Sequence, residues 1–233
     1  MSSAHRSTAY PLCLLLGALL IIIAAALHPH LMGGGADELS AIAGSHAWRA
    51  IHWAFLFGFA LSLTGLVGVA GRCAGTAGEG AARAGVVVVT FAYSGWMVVV
   101  TFMVGAGWML AQSYAAPGAG VTATNAIFVY DMMRPFALAA QRIGGFALGI
   151  STYLLGWGAL QARLGPRWLG WSGVASGVIA IALAVLFGEA TKADQAAFAP
   201  PVLWQFVTAL VLLSGRGAAP HGPSSPPSWR GPG

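Results

Sequence analysis

Six apolar stretches, each as long or nearly as long as a bilayer crossing, take up most of this chain. A hydrocarbon core about 30 Å thick needs ~20 residues of helix to cross it. No water is present there to satisfy backbone amides and carbonyls, so an open chain crosses as helix. The pattern therefore points to one fold class, an all-α, polytopic transmembrane helix bundle of six spans. The expected spans are about 10–27, 47–70, 85–112, 135–160, 168–187 and 196–214. Pro135 is expected in the first turn of the fourth, where a missing N–H costs nothing. Pro200 and Pro201 are expected to shorten the sixth. The first stretch has two readings. Arg6, the apolar run and Ala24-Ala25-Ala26 match a secretory signal with its cleavage site, whereas the length of the run favours a retained span.

Only 7% of the 233 residues are charged and 58% are hydrophobic, which leaves no room for a sizeable soluble domain. One membrane domain, 1–214, is followed by a Gly/Pro/Ser-rich segment, 215–233, that reads as a disordered tail. The net charge of +5 would point to nucleic acid in a soluble protein. Here the basic residues sit in short loops, where they set insertion topology instead. Arg6, Arg72, Arg83, Arg163, Arg167, Arg216 and Arg230 fall on one side, and Arg49, Arg134, Arg142 and Lys192 on the other. Asp37, Glu38, Asp131, Glu189 and Asp194 accompany the second group, against Glu79 with the first. The excess of arginine places both termini in the cytoplasm, in agreement with an even number of spans. Cys13 and Cys73 have no metal-ligand spacing and read as two unpaired small apolar residues.

Helices in lipid associate through close contact rather than hydrophobicity, and small residues four apart permit it. Gly145 with Gly149, Gly173 with Gly177 and, more weakly, Gly58 with Ser62 are such pairs. They mark internal packing or, alternatively, a homodimer face. The segment QARLGPRWLGWSG, from Gln161 to Gly173, combines basic residues, a Gly-Pro turn and an interfacial tryptophan. It resembles the inner hairpin of several uncharacterised bacterial polytopic membrane protein families. The resemblance implies a bacterial inner-membrane helix bundle and transfers no chemistry.

The centres of the spans are nearly free of ionisable groups, which counts against an ion-coupled carrier. Hydroxyls are present at Ser62, Thr64, Thr90, Tyr93, Ser94, Thr101, Ser151, Thr152 and Tyr153. They are expected to bond to backbone or a neighbouring helix, with a polar pathway as the alternative. The outer rim is richer. His28, His30 and Met32 end the first span, while His46, Arg49 and His52 open the second. Imidazole ligates copper, zinc and haem iron, so His28, His30, His46 and His52 are candidate metal ligands. Met32, Met132 or Met133 would favour copper. His52 with His28 or His30 would supply the two facing ligands of haem b. Against these readings, histidine also gathers at membrane interfaces simply as an anchor, and the spacing matches no zinc helix or paired-cysteine set. A pH sensor is a third reading.

Arg142, two turns into the expected fourth span, must snorkel outward or find a partner. Asp131 and Glu189 are the candidate carboxylates; holding an anionic ligand is the alternative. Segment 113–134 reads as a flexible outer loop. Asn125 would cap a short helix there, laying Ile127, Phe128 and Met132 on the membrane surface as an interfacial helix or a lid. No nucleophile elbow, zinc-protease helix or phosphate loop is present. The expected function is a non-enzymatic membrane component: an accessory subunit, sensor or solute-binding bundle with a histidine-rich outer rim. A haem- or copper-binding redox protein and a passive channel are the alternatives.

Overall fold

A computed structural model describes residues 8–29, 31, 33–187 and 196–215. Arg6, His30, Met32, Glu189, Lys192, Asp194 and the expected tail from 216 onward lie outside the described residues. Every regular element among the described residues is helical. The helices are α1 (Ala9–Leu27), α2 (Gly35–Gly44), α3 (Trp48–Arg72), α4 (Glu79–Phe102), α5 (Trp108–Ala115), α6 (Gly120–Gln161), α7 (Arg167–Leu186) and α8 (Ala199–Leu213). A π-helical turn, Met103–Gly107, joins α4 to α5 without a break.

Five stretches are long and apolar enough to cross a bilayer: α1, α3, the continuous rod Glu79–Ala115, α6 and α7. Helix α8 is apolar but only 15 residues long, about 22 Å. Its two prolines sit in the first turn, so they set where the helix starts rather than break it. The long helices alternate in direction, which brings the ends of α1, α4 and α7 to the starts of α3 and α8.

Two expectations are corrected. The third span was expected at 85–112, yet the rod extends past it at both ends. More consequentially, segment 113–134 is not a loop: α6 runs for 42 residues with Pro135 inside it. Pro135 removes one amide from the ladder but does not end the helix. The preceding turns are held from outside, because Ala126, Tyr130 and Ile127 pack with Leu39, Ile42, Trp48 and Ala111 in a small second core. Asn125 therefore lies mid-helix and caps nothing, and of the three apolar residues only Phe128 and Met132 are exposed. At ~63 Å, α6 is about twice the thickness of a hydrocarbon core. Together α2, α5 and the first half of α6 build a cap beyond the bundle proper.

Glycine sets the packing at the opposite end. Gly149 meets Gly177 and Ile181, while Gly156 meets Gly173 and Val174, closing α6 on α7. Gly85 and Gly158 seat α4 against α6, and Gly17, Gly58 and Ser62 do the same for α1 and α3. Gly145, Gly149, Gly173 and Gly177 are all buried within the single chain. The α6–α7 connection is the expected tight hairpin. The Leu164 amide donates back to the Ala159 carbonyl at 2.9 Å and the Arg163 amide to the Leu160 carbonyl at 3.2 Å. Arg163 takes the left-handed φ of 51° that ends the helix, and Gly165 follows at φ 104°. Helix α8 is fixed by Trp204, whose indole donates to the Leu169 carbonyl at 2.9 Å. Gln205 holds it to α4 by donating to the Tyr93 hydroxyl oxygen at 2.9 Å.

Candidate functional site

Where the histidines lie, the helices diverge around a cavity of about 390 Å³. Its wall comes from the end of α1, the first turn of α2, the start of α3, the end of α4 with the π turn, the middle of α6 and the approach to α8. One side is aromatic. Phe59 meets Trp96 edge to face with centroids 5.6 Å apart, Trp96 meets Phe198 at 5.4 Å, and Phe55 stacks on Phe59 at 5.9 Å. The Trp96 indole donates to the Gln141 carbonyl at 3.1 Å, which ties α4 to α6 across the cavity.

The other side is polar. His28 closes α1, and His52 lies a little over one turn into α3. Their rings approach to 5.1 Å between centroids. The Trp48 ring lies tilted against both, at 4.1 Å from His52 and 5.2 Å from His28. The Trp48 indole donates to the Met103 carbonyl at 2.9 Å, so the start of α3 is anchored on the π turn. His52 Nδ1 is 2.7 Å from the Trp48 carbonyl oxygen. A π turn inserted in an α-helix often accompanies a functional site, and this one contributes Met103 to the cavity wall.

Beside the histidines stands an ion pair that sequence reasoning missed. Glu38, only 4% exposed, accepts from Arg134 Nε at 3.1 Å and Nη2 at 2.9 Å, both on Oε1. The Tyr130 hydroxyl donates to its Oε2 at 2.9 Å. Both carboxylate oxygens are thus engaged, which is what lets a charge stay buried. Glu38 sits in a helix too short to register as an apolar stretch. The available signal was Leu39 and Ile42, three residues apart on one face of ADELSAIAG.

The candidate residues separate as follows. His28 and His52 come together, whereas His46 is exposed in the turn before α3. Met132 and Met133 are exposed on α6 and do not face the histidines. Among the described residues, no group of three or more His, Cys, Asp and Glu side chains is placed to hold a metal ion. Arg49 is exposed. Arg134 takes Glu38, a partner not anticipated. Asp131 stands against Gly35, at the N-terminal end of α2, where the helix dipole favours an anion. Arg142 does not pair with Asp131, which lies 11 residues, or ~16 Å, along the same helix. It donates to the Ala184 and Val185 carbonyls at 2.7 and 3.3 Å, at the C-terminal end of α7, where the dipole favours a cation.

Several of the hydroxyls are used for structure, whereas the buried Ser62 Oγ has no hydrogen-bond partner among the described residues. Thr64, Thr90 and Thr152 each donate to the carbonyl four residues back, and Ser151 donates to the Gly85 carbonyl at 2.8 Å. Ser94, Thr101 and Tyr153 are exposed on the outside of the bundle rather than lining a path through it. No protein-family model, curated protein or solved structure matches the chain.

Proposed function

We propose that this chain is a six-span, non-enzymatic integral membrane protein that binds a small amphipathic molecule in the cavity at its histidine end, acting as a sensor or solute-binding subunit. The cavity carries the proposal. Its volume falls in the range of small-molecule sites, about 300–1,000 Å³, with a mainly apolar wall and a few convergent polar groups.

Helix α8, short as it is, serves as the sixth span and returns the chain to the side of Arg72, Arg83, Arg163 and Arg167. By the positive-inside rule that side is cytoplasmic, both termini included, and the cavity faces outward. The likeness of Gln161–Gly173 to bacterial inner hairpins supports the bacterial inner membrane as its location. Native mass spectrometry of protein extracted gently from its membrane tests the reading. A small-molecule adduct on the wild type, lost when Val99 in the cavity wall is replaced (Val99→Trp), is the expected result. Ligand-free protein that no amphiphile stabilises against heat would sink the proposal.

The paired imidazoles of His28 and His52 favour a second reading, haem or copper binding. It ranks lower because the two rings, 5.1 Å apart, pack against each other rather than across the gap of an iron between them, and no group of three or more His, Cys, Asp and Glu among the described residues could hold a metal ion. A Soret band or stoichiometric copper in the purified protein, lost on His52→Ala, would promote it.

A further inference from the structure

The polar side of the cavity discriminates among ligands. Arg134 directs Nε and Nη2 at Glu38, whose second oxygen is closed off by Tyr130. Guanidinium and carboxylate lie 2.9 Å apart and oppose each other in charge. An anionic ligand would meet the carboxylate along with the guanidinium and gain little. His52, 2% exposed, is different. Its Nδ1 is 2.7 Å from a backbone carbonyl oxygen. A carbonyl only accepts, so Nδ1 carries the proton, and the neutral ring keeps its lone pair on Nε2. The imidazole in this wall therefore asks for a donor. The same cavity is lined by Phe55, Phe59, Trp96 and Phe198, which pack on one another face to face and edge to face, so a ring entering it meets an aromatic wall.

We infer that the occupant is a neutral aromatic hydroxyl compound, a phenol or hydroquinone with an apolar tail. Its O–H is donated to His52 Nε2 and its ring is held against Phe59 and Trp96. The inference rests on the ligand-binding reading above and narrows it to one chemical class. The matching methyl ether and the quinone form lack the donor and are rejected in proportion.

The test is isothermal titration of the full chain in mild detergent, against protein-free micelles, with 4-nonylphenol, 4-nonylanisole and decanoate. The expected result is one equivalent of the phenol bound, with the anisole about tenfold weaker, the worth of one hydrogen bond. In His52→Ala that preference disappears. The comparison of phenol with anisole on wild-type protein needs no variant to fold. Equal binding of the two would overturn the hydroxyl inference and leave the cavity reading standing, as would decanoate binding more tightly than the phenol. Failure of all three probes would also overturn the inference. A different co-purified molecule in the native mass spectrum would then keep the cavity reading alive, and its absence would end both.

Discussion

The two ends of this bundle are built by opposite rules. At the arginine end the helices touch through glycine, backbone against backbone. At the histidine end Phe55, Phe59, Trp96 and Phe198 line a cavity between the helices. Close backbone approach is the main source of helix association in lipid, so the first end supplies rigidity. Large rings pack without filling every gap, and the second end uses that space. Under the proposed function, binding is confined to one half while the other sets the positions of its walls.

The largest effect should come from the cap over the cavity. Arg134→Ala leaves Glu38 buried with Tyr130 alone, and should cost about 3 kcal/mol of folding free energy. Denaturant titration in mixed micelles would measure it; a loss below about 1 kcal/mol would mean that the pair is not closed to water. Adding Glu38→Gln should recover part of the loss, since the unpaired charge is then gone.

Next comes the glycine end. A β-carbon at Gly156 would stand 2.7 Å from the Gly173 carbonyl carbon and 2.7 Å from the Val174 nitrogen, both backbone. Gly156→Ala should destabilise by about 2 kcal/mol in the same titration. Indifference to that methyl would show that α6 and α7 are less tightly closed than described. Tyr93→Phe, at the seam between the ends, removes both hydrogen bonds to the buried Gln205 and should cost about 2 kcal/mol.

The smallest effect has the opposite sign. Gly95 lies in α4 with nothing within 4 Å of an added β-carbon. Gly95→Ala should stabilise by about 0.5 kcal/mol through helix propensity alone. The same chemical change with opposite outcomes at positions 156 and 95 would establish that contact, not composition, decides what glycine does here. At the arginine end Cys73 adds a reactivity check. Burial pushes its thiol up to about 11, so little thiolate exists at pH 8. Maleimide should label it only after unfolding, and rapid labelling of the folded protein would contradict its burial.

Much of the fold was legible because lipid imposes a simple rule. Apolar runs of bilayer length must be helices, and α1, α3 and α7 fall close to their expected ranges. The hairpin at Arg163–Gly165 was legible for a related reason, since a short connection between two helices needs a residue tolerant of positive φ. The cap was not legible. Segment 113–134 has the glycine and polar content of a loop, and Pro135 has the look of a helix start. Nothing local reveals that Ala126 and Tyr130 will meet Leu39 and Ile42 from a helix almost ninety residues earlier in the chain. The site was half legible: the clustering of histidines near positions 28 and 52 is visible in the sequence, but Glu38 is not singled out.

The sequence by itself determined that this chain is helical and apolar along most of its length, that its positive charge favours one end, and that its histidines gather at the other. Those properties follow from composition and spacing, which act through the solvent each residue prefers. Only the tertiary structure decided that Glu38 closes on Arg134 and Tyr130, that His46 stays outside while His28 meets His52, and that an aromatic cavity opens beside them. These depend on contacts between distant segments, whose energies are set by the geometry of approach and leave no trace in local pattern.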